Sequence, residues 1–182
     1  MDTRIGLLDG VPALTRPDLL APPVAEALAA LAGTLAAHEV AVAEIDPALA
    51  DTAAFCERYQ VSLDESANCV VIAGRRGGEQ RYAACVVLAT TRADVNGAAR
   101  RELDVRKASF AAMDDAVAQT GMEYGGITPL GLPGGWPLLI DAQVATAPQV
   151  VIGSGVRRSK LLLPGEALTR LPGAAVIDGL AR

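Results

Sequence analysis

With 182 residues, 51% of them hydrophobic and 20% charged, and a mean hydropathy of +0.31, the chain can bury one sizeable core and is not a disordered tail. No apolar run approaches the ~18 to 20 residues of a spanning helix, and Met1-Asp2-Thr3-Arg4 does not open a secretion signal, so a cytoplasmic protein with no membrane partner is expected. A net charge of −5, taken whole, argues against a nucleic-acid binder. Residues 1–23 contain Gly10, Pro12, Pro17, Pro22 and Pro23 and are expected to form an irregular lead-in to a single domain over 24–182. Val24, Leu28, Leu31 and Leu35 recur at steps of three and four, which predicts a helix over 24–37 entered through the two prolines. Val40, Val42 and Ile45 predict a short strand within 38–45, and Asp51 stands where it would cap a helix over 51–59. Strands over 68–73 and 81–89, separated by the glycine-containing stretch 74–78, read as an antiparallel hairpin. Helices are expected over 93–103 and 109–119, the second stopped by Gly121, and strands over 138–141, 149–152, 160–163 and 174–177. Helices first, then hairpins interrupted by a helix pair, favour an α+β domain with a mixed, largely antiparallel sheet over a doubly wound one.

The residue inventory excludes several chemistries. Cys56, Cys69 and Cys85 are separated by 13 and 16 positions with no C-x-x-C pair, which suggests neither a disulfide framework nor a zinc site. His38 is the lone histidine, so a Ser-His-Asp, Cys-His or multi-histidine metal site has one candidate residue only. A hydrolase built from this chain must activate water through carboxylates, backbone groups, an amine or the substrate itself. The charge is also unevenly spread: residues 1–65 carry eleven acids against three bases, whereas residues 66–182 carry thirteen bases against ten acids. The basic remainder can present a positive face to a polyanion, because local potential steers binding; the alternative is a surface of mixed charges.

Two segments concentrate unusual residues. Thr120-Gly121-Met122-Glu123-Tyr124-Gly125-Gly126-Ile127-Thr128-Pro129-Leu130-Gly131-Leu132-Pro133 pairs adjacent glycines with a nearby proline, giving either a rigid loop that holds a ligand by its main chain or a tight turn between helix and strand. Val151-Ile152-Gly153-Ser154-Gly155-Val156-Arg157-Arg158-Ser159-Lys160 fails as a dinucleotide loop, since Arg158 stands where glycine is wanted and no helix pattern follows, and it lacks Walker A spacing. It reads as a small-residue turn followed by three cations that can meet a phosphate or carboxylate, or as a hairpin with solvated charges. If Lys160 begins a strand, alternation puts Lys160 and Leu162 on one face, so Lys160 either enters a cavity or stands at an exposed edge. Glu123 and Asp141, the carboxylates nearest these motifs, are read as water-orienting groups or as turn acids.

Gly125-Gly126-Ile127-Thr128-Pro129-Leu130-Gly131, preceded by Thr120-Gly121 and followed by Leu139-Ile140-Asp141 and the Ile152-Gly153-Ser154-Gly155 turn, resembles the YbaK-like family of aminoacyl-tRNA editing domains, also called prolyl-tRNA-synthetase-associated domains. The resemblance runs over roughly residues 38–180, with Gly125 to Pro129 as its Gly-x-x-x-Pro motif. It implies a curled, barrel-like mixed sheet flanked by helices and hydrolysis of the ester between a wrongly attached amino acid and tRNA. Family members of the best-known type carry a substrate-holding lysine on the first strand of the central hairpin, where this sequence has Ala67. Lys107 and Lys160 are the only lysines, so the amine's role is absent, moved to Lys160, or taken by arginine.

The resemblance therefore implies a free-standing trans-editing deacylase that binds the aminoacylated acceptor end of a tRNA, without cofactor or metal; a homodimer is left open. Gly125, Gly126, Thr128 and Lys160 form the expected catalytic set. Asn68, Pro129, Gly153, Ser154, Gly155 and Arg157 form the expected substrate-binding set. The alternatives are a noncatalytic binder of an aminoacyl or nucleotide group on the same fold, and an unrelated small-molecule enzyme.

Overall fold

Ten short strands curl into a largely antiparallel half-barrel, and the computed structural model describes residues 3–36 and 38–182 of the chain. The strands are β1 (Thr3–Ile5), β2 (Leu8–Pro12), β3 (Ala41–Glu44), β4 (Ala67–Arg76), β5 (Glu79–Leu88), β6 (Ala108–Phe110), β7 (Leu138–Asp141), β8 (Val150–Gly153), β9 (Ser159–Leu163) and β10 (Ala174–Ile177). One antiparallel sheet runs β1-β2-β3-β9-β8, and a mixed sheet runs β10-β7-β5-β4-β6, in which β7 lies parallel to both β5 and β10. The α+β class and the four C-terminal strands agree with the sequence reading. Among the described residues no helix is long and apolar enough to cross a membrane.

The central hairpin forms because β4 and β5, ten residues each, meet through Gly77 and Gly78 at φ +59° and +87°. Positive φ at both central positions gives the turn whose twist matches the flanking strands, and glycine adopts it without a Cβ penalty. A parallel bridge, Ser66 to Val151, links the edges of the two sheets, and there the Val151 N–H donates to the Glu65 carbonyl at 2.7 Å. Beyond that bridge β4 and β8 run the same way and separate. On its outer side β4 is paired with β6 only over Ile72 to Gly74, so its stretch from Ala67 to Val71 borders open space.

Helices cover the outside and fix the ends of that space. These are α1 (Pro22–Ala30), α2 (Thr52–Tyr59), α3 (Arg100–Leu103), α4 (Met113–Thr120), α5 (Ala142–Thr146) and α6 (Gly165–Leu168), with a π-turn over Val95–Ala99 leading into α3. Pro22 and Pro23 supply fixed φ at the first turn of α1, which buries Val24 and Leu28. Gly121, at φ +66°, ends α4 in the left-handed cap expected of it. Leu161 and Leu163 enter the cluster between the sheets, whereas Leu162 packs with Phe55 of α2 on the opposite face. Strand alternation therefore sets Lys160, two residues before Leu162, on the α2 side.

Three expectations are corrected. The lead-in is ordered over residues 3–21: β1 and β2 form a hairpin that joins β3, and two 3-10 turns continue to α1. Its proline and glycine content marks turns between short strands. The helix expected over 24–37 stops at Ala30 and continues as turns through Thr34; Ala37 lies outside the described residues, as do Met1 and Asp2. Ser109, expected in a helix, belongs to β6, because pairing with Ile72 to Gly74 of β4 draws Ala108 to Phe110 into the sheet.

Candidate active site

The space between the diverging strands is a cavity of about 420 Å³, within the size range of small-ligand sites. Its walls come from Ala67 to Val71 of β4, the start of α2, the end of β6, the Tyr124 to Ile127 loop, Gly153 and Lys160.

Lys160 reaches this cavity from β9. Its ammonium donates to the Ala50 carbonyl at 3.1 Å and lies 5.0 Å from the centre of the Phe55 ring. Burial, and after it the nearby Arg157 charge, push its pKa down to about 8, against the opposing pull of Cys56 and Asp51. The lysine is thus a cation near neutral pH held where water is scarce. Across the cavity, Thr52 Oγ1 donates to Asn68 Oδ1 at 3.0 Å, which orients the amide and leaves Nδ2 with no protein partner among the described residues. Gly125 adds a main-chain N–H that is likewise unpartnered among those residues. Cys69 also lines the wall, but burial raises its thiol pKa far above neutrality and leaves it a poor nucleophile.

The glycine loop is held against the β8–β9 turn by main-chain contacts. The Gly155 N–H donates to the Gly126 carbonyl at 2.7 Å, the Glu123 N–H to the Gly155 carbonyl at 2.8 Å, and the Arg157 N–H to Glu123 Oε2 at 2.6 Å. A Cβ on Gly126 would come within 2.7 Å of the Val156 carbonyl oxygen, and one on Gly153 would collide with the Gly126 carbonyl. These glycines permit two backbones to lie in contact. Gly125 is at φ +85°, and a Cβ there would strike the Arg157 guanidinium. Arg157 pairs with Asp51 at 3.3 Å and donates to the Tyr124 and Pro47 carbonyls, clamping the loop to the start of α2.

Of the residues expected to form the site, Asn68, Gly125, Gly153 and Lys160 converge on the cavity wall. The other six take different places. The Gly126 N–H is used by the Glu123 carbonyl, and Gly155 packs on Ala21 and Val24. Thr128 is fully buried off the wall, with its hydroxyl unpartnered. Pro129 faces a separate apolar cleft beside Trp136. Ser154 is buried, bonded to Ser159 Oγ at 2.7 Å and to the Val156 carbonyl, and Arg157 acts as the clamp. The two carboxylates are turn acids: Glu123 caps the Arg157 amide, while Asp141 accepts from the Gln143 and Ala181 amides. Thr52, Phe110 and Tyr124 border the cavity without having been expected. Thr52 was legible as the residue after a cap, and Tyr124 as a large aromatic before two glycines, but the placement of Phe110 depends on β6.

A family model described as an aminoacyl-tRNA editing domain matches residues 46–171. Among solved structures, one described provisionally as a trans-editing enzyme for prolyl tRNA synthetase superposes with a TM-score of 0.70 at 21% identity, covering 87% of this chain and 97% of that one. A scaffold protein used for epitope backbone grafting gives 0.69 at 23% identity over 87% and 97% of the two chains, and the hypothetical protein APE2540 gives 0.68 at 19% over 78% and 90%. These likenesses establish the shared fold. Comparison with curated protein sequences gives no match. With the family model spanning well over half its length, including the glycine loop, the central hairpin and the Lys160 strand, the chain belongs to the aminoacyl-tRNA editing domain family.

Proposed function

We propose that the protein is an aminoacyl-tRNA deacylase that hydrolyses the ester of mischarged tRNA in the cavity between β4 and β9. The observation that carries this reading is the position of Lys160: its ammonium enters the same cavity that Ala67 lines, from the opposite strand. A lysine missing from one wall is thus supplied by the other. An aminoacyl ester is already activated, so positioning and electrostatic stabilisation can supply much of the rate. In this reading Lys160 holds the terminal phosphate or ribose oxygens, and Asn68 Nδ2 and the Gly125 N–H donate to the ester carbonyl as negative charge develops on it. Water adds to the carbonyl carbon, the bond to the ribose oxygen breaks, and the water's proton passes to that oxygen through the neighbouring ribose hydroxyl. The products are the free amino acid and a tRNA with both terminal hydroxyls restored.

The test is incubation with a panel of tRNAs, each carrying a noncognate amino acid, with release of the amino acid measured against spontaneous hydrolysis. Accelerated release from at least one member is expected. Unchanged or lengthened ester lifetimes across the panel would overturn the deacylase and favour a noncatalytic binder.

A further inference from the structure

The chain has six aromatic residues, and among the described residues Phe110 and Tyr124 alone stand exposed, at 61% and 57%. Both border the mouth of the Lys160 cavity. Two open rings at one mouth form a surface suited to a flat partner.

A cationic surface begins beside Phe110. Lys107 and Arg106 lie three and four residues before it, at most ~10 to 13 Å away at ~3.3 Å per extended residue. Pairing of Gly74 with Ala108 sets this approach beside Arg75 and Arg76 at the end of β4, and Arg75, Arg76, Arg100 and Arg106 line a cleft of about 560 Å³. Asp104 is shared between Arg76 and Arg81, while Arg75, Arg106 and Lys107 have no ion-pair partner among the described residues. Uncompensated guanidinium and ammonium groups next to open rings match the two needs of single-stranded nucleic acid, which are stacking for the bases and cations for the phosphates.

Resting on the editing reading, we infer that the single-stranded 3′ end of the RNA runs along β6. Its terminal bases stack on Phe110 and Tyr124, its phosphates meet Lys107 and Arg106, and the adjoining duplex lies over Arg75 and Arg76. This path leads the ester-bearing ribose to Lys160. It also assigns sequence-tolerant recognition, since every base offers a ring face and none of these groups reads a base edge.

The experiment uses the full chain and two fluorescent RNA hairpins, one ending in single-stranded CCA and one blunt, both uncharged, with binding read by anisotropy. Phe110→Ala should weaken the CCA hairpin at least about fivefold and leave the blunt one unchanged. Arg106→Glu with Lys107→Glu should weaken both at least about tenfold and flatten the slope of log affinity against log salt by about 1.5 to 2. Arg4→Glu, on β1, should change neither. The path is overturned if the wild type binds neither hairpin, if the double variant binds like wild type, or if Phe110→Ala fails to distinguish the two RNAs. Thermal melts of each variant establish that it is folded. Because these RNAs carry no ester, failure here is separate from failure of the deacylase reading, which appears as absent hydrolysis with binding intact.

Discussion

In the proposed deacylase Lys160 carries the cationic contact of the site, and its environment sets two kinds of pH dependence. Lys160→Ala removes the cation, and Lys160→Arg replaces a compact ammonium by a planar fork that does not fit a point contact beside the Ala50 carbonyl and the Phe55 ring. Both should lower turnover at least about tenfold, or about 1.4 kcal/mol of transition-state stabilisation. Since burial lowers the pKa to about 8, turnover corrected for spontaneous hydrolysis should fall as pH rises through that value. Stability moves the other way. The unfolded lysine titrates near 10.5, so between about 8 and 10.5 the unfolded chain binds a proton that the folded chain has released, and stability rises with pH. Below about 8 both states hold the proton and the folded state carries the desolvation cost. The Tm of wild type relative to Lys160→Met should therefore improve between pH 7 and pH 10; a constant difference would mean that the ammonium stays hydrated.

At the scale of elements, the loop from Glu123 to Ile127 and the β8–β9 turn form one unit, because neither has room for a Cβ where the other passes. Gly126→Ala would press on the Val156 carbonyl, so it should cost about 1 to 3 kcal/mol of stability and lower turnover by widening the cavity. Gly134→Ala, with nothing within 4 Å and no positive φ, should leave both within error. Equal melting temperatures for the two variants would dissolve the unit. The glycine-rich segments were legible in the sequence because glycine without an apolar period signals special backbone, yet the sequence does not say whether a ligand or another loop makes the close approach. Here the loop–loop contact accounts for Gly126 and Gly153, whereas Gly155 is required by its φ of +85° and by the approach of Ala21 and Val24. The β4–β5 hairpin and the four late strands were legible from short apolar runs bounded by turns. β6 was not, because Ala108-Ser109-Phe110 gains its extended form from pairing with β4. Lys160 was legible as half of an alternation, but the face it chooses depends on Leu162 meeting Phe55 of α2.

Across the whole molecule, the uneven charge of the chain becomes an uneven charge in space. The acidic residues 1–65 build β1 to β3, α1 and α2, mainly on the first sheet, whereas the arginines cluster at the tip of the β4–β5 hairpin and around α3. A polyanion is thus repelled from one side and drawn to the other, so a net charge of −5 and RNA binding are compatible. Affinity for the CCA-ended hairpin should fall as salt rises, since each phosphate contact releases condensed counterions. Neutralising Glu26, Glu57 and Asp64, all exposed in the acidic half and without ion-pair partners among the described residues, tests the repulsive side. With fewer negative charges there, the blunt hairpin should gain new orientations, while the inferred path along β6 should already fix the CCA end. At an ionic strength of about 0.01 M, where the Debye length is ~30 Å, the triple variant should bind the blunt hairpin about two- to fivefold more tightly and the CCA hairpin less than twofold. The gain should disappear near 0.15 M salt, where screening confines each charge to ~8 Å. An equal gain for both RNAs, or one that persists at 0.15 M, would mean that the acidic half does not orient the approach.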